Sequence, residues 1–272
     1  MFDRKEAFLD LGRLVYGLAG IALGLIGLVY RDFAAVWQPL ENLVDVPNRA
    51  AVACAFAAVE LAAGAATLWR RTARIGLLTL VALHLISGVA WIPRVLALPN
   101  IFGVWNGLFE QLALVAAGVV AYATLAASTS TWRARTIQLG CVLFGICALS
   151  FGATHFAHIP EVVNMIPKWI PGQQFWAWAT GAFHVLAAIA ILTGLLAGIA
   201  SRLLTAMFVG FGALAWAPAL VARPDDHFTW AGNAINLALV GAAWVISDSI
   251  SSRQTQTLPR RLNSLLAWRG SQ

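Results

Sequence analysis

The feature that most constrains this chain is a succession of eight apolar runs, each close to the length of a bilayer span. They lie at about residues 12–30, 50–69, 75–92, 104–127, 137–157, 175–198, 203–222 and 229–247. A helix needs roughly 20 mainly apolar residues to cross the hydrocarbon layer. Within that layer only a helix or a closed barrel satisfies its own backbone groups. The expected fold is an all-α integral membrane protein with eight transmembrane helices. Composition agrees, with 60% hydrophobic and 11% charged residues, where soluble domains carry roughly 45–50% and about 25%. This excludes a disordered chain, a disulfide-rich secreted module and a nucleic-acid-binding domain. The first run is long for a signal peptide, and Asp3, Glu6 and Asp10 dilute its basic start, so cleavage is not expected. Cys54, Cys141 and Cys147 show no CxxC spacing and read as apolar thiols.

With the bilayer as the first partner, the net charge of +6 is read through topology. Eight spans place both termini on one side. That side carries 13 of the 18 basic residues, among them Arg70, Arg71 and Arg74, Arg133 and Arg135, and Arg260 and Arg261. The positive-inside rule makes it the cytoplasmic side. Tryptophan runs the other way. Eight of the 12, including Trp91, Trp105, Trp169, Trp216 and Trp230, fall toward the outer side. An interfacial belt explains them, and an outer vestibule lined by aromatic rings is the alternative.

An internal repeat is visible. Residues 105–115, WNGLFEQLALV, match residues 230–240, WAGNAINLALV, at an offset of 125. The same offset aligns Trp91 with Trp216, Pro93 with Pro218 and Pro99 with Pro224. An offset of 128 aligns Gly17, Gly24 and Pro39 with Gly145, Gly152 and Pro167, and one of 124 sets Glu60 over His184. The drift implies short insertions in loops and in one helix. Four spans per copy give two parallel four-helix repeats, 1–135 and 136–250. Residues 251–257 read as a polar linker. Beyond it Leu258, Leu262, Leu265 and Leu266 alternate with Arg260, Arg261 and Arg269. The expectation for 251–272 is a basic amphipathic cytoplasmic tail, on the leaflet or on a partner.

The second repeat contains GATHFAHIPEVVNMIPKWIPGQQFWAWATGAFHVL, residues 152–186. Its GxxHF motif, the following Pro-Glu, the P-x-W-x-P loop, the Phe-Trp pair and the Thr-Gly resemble the DoxX family of small four-helix membrane proteins. The first repeat is similar but more degenerate. It has Gly27 at the His155 position and keeps Glu60, where DoxX-like proteins usually carry a glutamate. The resemblance implies a bacterial-type inner membrane and diverse activities. These include membrane subunits of quinone-linked oxidation, companions of soluble or membrane oxidoreductases, and chaperone-like factors.

Polar groups inside the spans mark where chemistry is possible, because a charged group at mid-bilayer costs roughly 2.5–3.5 kcal/mol on insertion scales. Glu60 lies near the middle of its span on a face of small residues, Ala53, Ala57 and Gly64, and should point into the bundle. His84 shares a face with Ser87, Gly88 and Trp91. Asn106 and Glu110 are four apart on one face. Glu60, His84, Asn106 and Glu110 are expected to converge on one pocket of the first repeat. The second repeat offers His155, Thr180, His184, Asn233 and Asn236, without a carboxylate. The run His155, His158, Glu161 has metal-like spacing, but Pro160 interrupts it, and no metal is assigned. No phosphate loop, dinucleotide fingerprint or nucleophile elbow is present.

These residues give a first functional expectation. The chain is an accessory or redox-associated membrane subunit holding a quinone or another lipophilic ligand in an outward-opening cavity. The sequence itself requires no cofactor. The alternatives are an enzyme doing acid–base chemistry on a lipophilic substrate, a transporter, and a ligand-free assembly factor.

Overall fold

The structure, a computed structural model, describes residues 4–34, 47–126 and 131–269. Trp37 and Pro39 lie outside them, as do the side chains of the leucine–arginine face expected in the tail. The described residues form helices joined by turns: α1 (Arg4–Tyr30), α2 (Arg49–Leu68), α3 (Ala73–Ala97), α4 (Phe102–Thr124), α5 (Thr131–Ala157), the short α6 (Ile159–Met165), α7 (Gln173–Thr193), α8 (Ala197–Phe211), the short α9 (Ala217–Ala222) and α10 (His227–Arg269). A π-helical turn, Gly212–Trp216, joins α8 to α9 without a break. Eight helical segments are long and apolar enough to cross a membrane, from Leu11–Tyr30 to His227–Arg253. The described residues are therefore all-helical, with eight segments that have the length and composition of membrane spans.

Several boundaries differ from the sequence expectation. The sixth run was expected to reach residue 198, because LLAGIA continues the apolar pattern. Helix α7 stops instead at Thr193, where Gly194 takes φ 79° and returns its N–H to Ala190. A glycine in the left-handed region is the common helix stop, and Leu196 at φ 55° completes the reversal into α8. Helix α3 runs a turn past Pro93 to Ala97 rather than ending near residue 92. The polar stretch 251–257, expected as a linker, continues α10 as one helix to Arg269.

The spanning helices pack in sequence order, α1 on α2, α2 on α3, α3 on α4, α4 on α5, α5 on α7, α7 on α8 and α8 on α10. Helix α10 returns to α1, so the contacts close on themselves, and α4 meets α10 across the interior. Tyr16, Leu80, Leu114, Phe144, Leu204 and Ile246 fill this interior. Tyr30 at the end of α1 stacks on His227 at the start of α10, with ring centroids 4.2 Å apart. That end, opposite the chain termini, is the distal end.

Several contacts recur at fixed sequence spacing. Trp105 donates its indole N–H to the Pro99 carbonyl at 2.9 Å, and Trp230 donates to Pro224 at 2.7 Å. Trp91 lies flat against Gly107 where any Cβ would collide, and Trp216 lies the same way against Gly232. Gly24 on α1 abuts Ala57 and Leu61 of α2, and Gly152 on α5 abuts Gly181 and Val185 of α7. Gly88 faces Gln111, and Gly212 faces Asn236. Gly88 and Gly212 are 124 residues apart, whereas Trp91 and Trp216 are 125 apart. The extra residue falls inside the π turn, and such turns are one-residue bulges in an α-helix.

Candidate functional site

A cavity of about 340 Å³ opens at the distal end between α5, α6, α7 and α8. Its walls are almost wholly apolar, from Val162, Ile166, Met207, Phe211 and Trp216 among others. His155 and Thr180 supply its polar side chains. The last turn of α5 carries His155, and the adjacent α7 carries Thr180. Thr180 Oγ1 and His155 Nδ1 are 3.2 Å apart, while the hydroxyl also lies 2.9 Å from the Trp176 carbonyl oxygen. Behind His155 stands His184, buried, with ring centroids 5.1 Å apart, and Phe151, Phe208 and Phe211 pack around it. His184 Nδ1 has no hydrogen-bond partner among the described residues. Three of the residues expected from the second repeat, Thr180, His155 and His184, thus cluster at one wall. An imidazole exchanging donor and acceptor roles with a hydroxyl in an apolar cavity can hold a carbonyl or a hydroxyl of a lipophilic molecule.

In the first half, the expected single pocket resolves into two pairs. Glu60 and His84 are both buried in the interior, 2% exposed each. His84 Nδ1 meets Gln111 Oε1 at 3.1 Å, not Glu110. Glu110 accepts instead from Asn106 at 2.9 Å, and both are half-buried. Neighbours on a helix point about 100° apart, so Gln111 and Glu110 cannot both face His84. Tyr16 completes the interior group. Its ring meets His84 edge-on at 6.1 Å, and its hydroxyl donates to the Leu114 carbonyl at 3.0 Å. Glu60 Oε1 and Gln111 Nε2 have no hydrogen-bond partner among the described residues. Sequence reasoning passed over Tyr16 and Gln111. Tyr16 lies in an apolar, glycine-rich stretch of α1 with no other polar side chain beside it, and Gln111 stands next to the more conspicuous Glu110.

Asn233 and Asn236, expected as ligand groups, use their amide N–H groups on backbone. Asn233 donates to Trp216 and Thr229, and Asn236 donates to Phe208. Phe208 lies one turn before the π segment, where its carbonyl also accepts from the Gly212 N–H, and Trp216 closes that segment. Of the aromatic residues, Trp216 lines the cavity and Trp176 joins it, whereas Trp169 is 70% exposed. Trp91 packs beside Val95 and Val104. Pro160 ends the His155–Glu161 run as one helix by starting α6, and His158 Nδ1 lies 3.9 Å from Glu161. No three His, Cys, Asp or Glu side chains gather as a metal site among the described residues.

Searched against known protein families, curated proteins and solved structures, the chain matches none of them.

Proposed function

We propose that the protein is a DoxX-like membrane protein that holds a lipophilic molecule with a polar head in the cavity between α5 and α8. The observation that carries this reading is the His155–Thr180 pair set in an otherwise apolar wall. A cavity near 340 Å³ suits a single ring with its first substituents. A quinone fits that chemistry, since its carbonyl accepts a hydrogen bond from the His155 Nε2–H when Thr180 donates to Nδ1, while its tail lies among apolar side chains. In this reading the protein serves as an accessory subunit, and an oxidoreductase is the natural partner for a bound quinone.

The same reading takes the chain as two fused four-helix repeats with both termini cytoplasmic, in an inner membrane of bacterial type. The recurring Trp–Pro bonds and Trp–Gly contacts support the repeat. The bias of basic residues supports the orientation and opens the cavity outward.

Native mass spectrometry of the protein in nanodiscs made with ubiquinone tests the proposal. Wild type should retain a quinone-mass adduct, and His155→Phe with Thr180→Val should lose most of it. Equal retention in both, or no adduct in wild type, rejects the site.

A further inference from the structure

We infer that the groove between α1, the π turn and α10 is a second ligand site, built for a lipophilic alcohol or phenol. The groove measures about 430 Å³ and is separate from the His155 cavity, although the π turn walls both. Ala22 and Ile26 form one side, Val209 and Ala213 another, and Leu237 contributes from α10. Val209 and Ala213 are exposed and Trp230 is 39% exposed, so in a spanning chain the groove faces lipid.

The polar lining is what selects the ligand. It consists of Asn233 and Asn236, with Trp230, whose indole N–H is already bonded to Pro224. Each asparagine donates to backbone carbonyl oxygens, at 2.9 Å to Trp216 and Thr229 and at 3.1 Å to Phe208. Only the NH₂ end of a carboxamide can do this, so the orientation of both amides is fixed. Their oxygens remain, and neither has a partner among the described residues. Asn236 is only 7% exposed. Its oxygen is nonetheless not among the sealed polar atoms, so it opens to the groove that it lines.

Two carbonyl-type acceptors in a lipid-facing apolar slot call for a donor. Acyl chains offer none. Carboxylates and phosphates bring more acceptors. A hydroxyl donates to one or both oxygens. Asn233 and Asn236 lie six and nine residues into α10 from His227, which is about 9 and 14 Å along the helix. The ligand is therefore one whose hydroxyl is carried below the interface by an apolar body.

Photolabelling of the full chain in nanodiscs with a diazirine analogue of hexadecanol tests this. Label is expected in residues 209–213 and 227–240. Hexadecanol should compete roughly threefold or more better than hexadecyl methyl ether, which has no donor, as one hydrogen bond in a bilayer requires. Ala213→Phe fills the groove without touching either asparagine bond and should abolish the label. If that variant does not fold, Ala22→Phe fills the groove from the opposite wall. Equal competition by the ether, or labelling unchanged by the filled groove, overturns the inference.

Discussion

Asn236 on α10 donates its side-chain N–H to the Phe208 carbonyl on α8 at 3.1 Å, one turn before α8 loosens into its π turn. The bond ties the irregular segment to its neighbour at the place where the chain carries one residue more than the spacing of Gly88 and Trp91 requires. Deleting Ala213 should therefore let the segment close into a regular α-helix while both flanks keep their contacts. The deletion variant is expected to purify as wild type, with a thermal midpoint at or above that of wild type. Deleting Ala187 from the middle of α7 is expected to prevent purification, because every buried residue beyond it rotates off its face. Size-exclusion fluorescence and thermal melts distinguish the two. A collapsed Ala213 deletion would mean that the π turn is required for folding.

The α1–α2 contact at Gly24 is closer than the α5–α7 contact at Gly152. A Cβ on Gly24 would stand 2.5 Å from the Leu61 nitrogen and 2.6 Å from the Ala57 oxygen, both backbone. A Cβ on Gly152 would meet the Val185 Cγ2 at 2.6 Å, a side chain that can turn away, and the Gly181 oxygen at 3.0 Å. Gly24→Ala should cost about 1–3 kcal/mol through forced helix separation, and Gly152→Ala less. Midpoints measured in the same detergent check the order. The opposite order would show that α1 and α2 separate easily.

His84 and Gln111 form a buried pair in which the Gln111 amide nitrogen has no hydrogen-bond partner among the described residues. His84→Leu would strip the remaining bond from Gln111 and leave its carboxamide buried and unpaired, at a cost of about 1–3 kcal/mol. Adding Gln111→Leu should recover most of that loss, because both polar groups are then gone. A double-mutant cycle on thermal unfolding reads the coupling. Additive losses would show that the pair is not energetically linked.

The spans were legible because length and hydropathy decide them, and the internal faces of Glu60 and His84 because small residues mark a buried stripe. Resolution failed where a single residue decides geometry. Gly194 stops a helix inside an unbroken apolar run. Gln111 rather than Glu110 meets His84, since one step along a helix changes the face. Asn233 and Asn236 are polar residues in a span, and sequence assigns them to ligands by default. Their amide hydrogens serve backbone beside a π turn, which is written in the sequence only as a change of spacing between Gly88–Gly212 and Trp91–Trp216. The place of the cavity was legible only as a motif around His155, because volume depends on how α6 folds back over α5 and α7.

Asp226 starts α10 as its cap, accepting from the Thr229 hydroxyl and, at 3.2 Å, from the Thr229 backbone N–H. Those donors, the hydroxyl above all, hold its carboxyl below the usual aspartate range, and Arg223 at 3.8 Å adds to the effect. A carboxyl lowered in the folded state stabilises it fully above the ordinary aspartate value, and the contribution is lost as pH falls through the lowered value. The first turn of α10, including Trp230, should therefore stay protected at neutral pH and open on acidification below about pH 4. Hydrogen exchange of residues 227–232 in nanodiscs, corrected for the intrinsic pH dependence of exchange, reads this directly. Asp226→Asn, which cannot carry the charge, should show the less protected level at every pH. Superimposable profiles for wild type and Asp226→Asn would mean that the hydrogen bond from the Trp230 indole N–H to the Pro224 carbonyl, and not the charged cap, holds the start of α10.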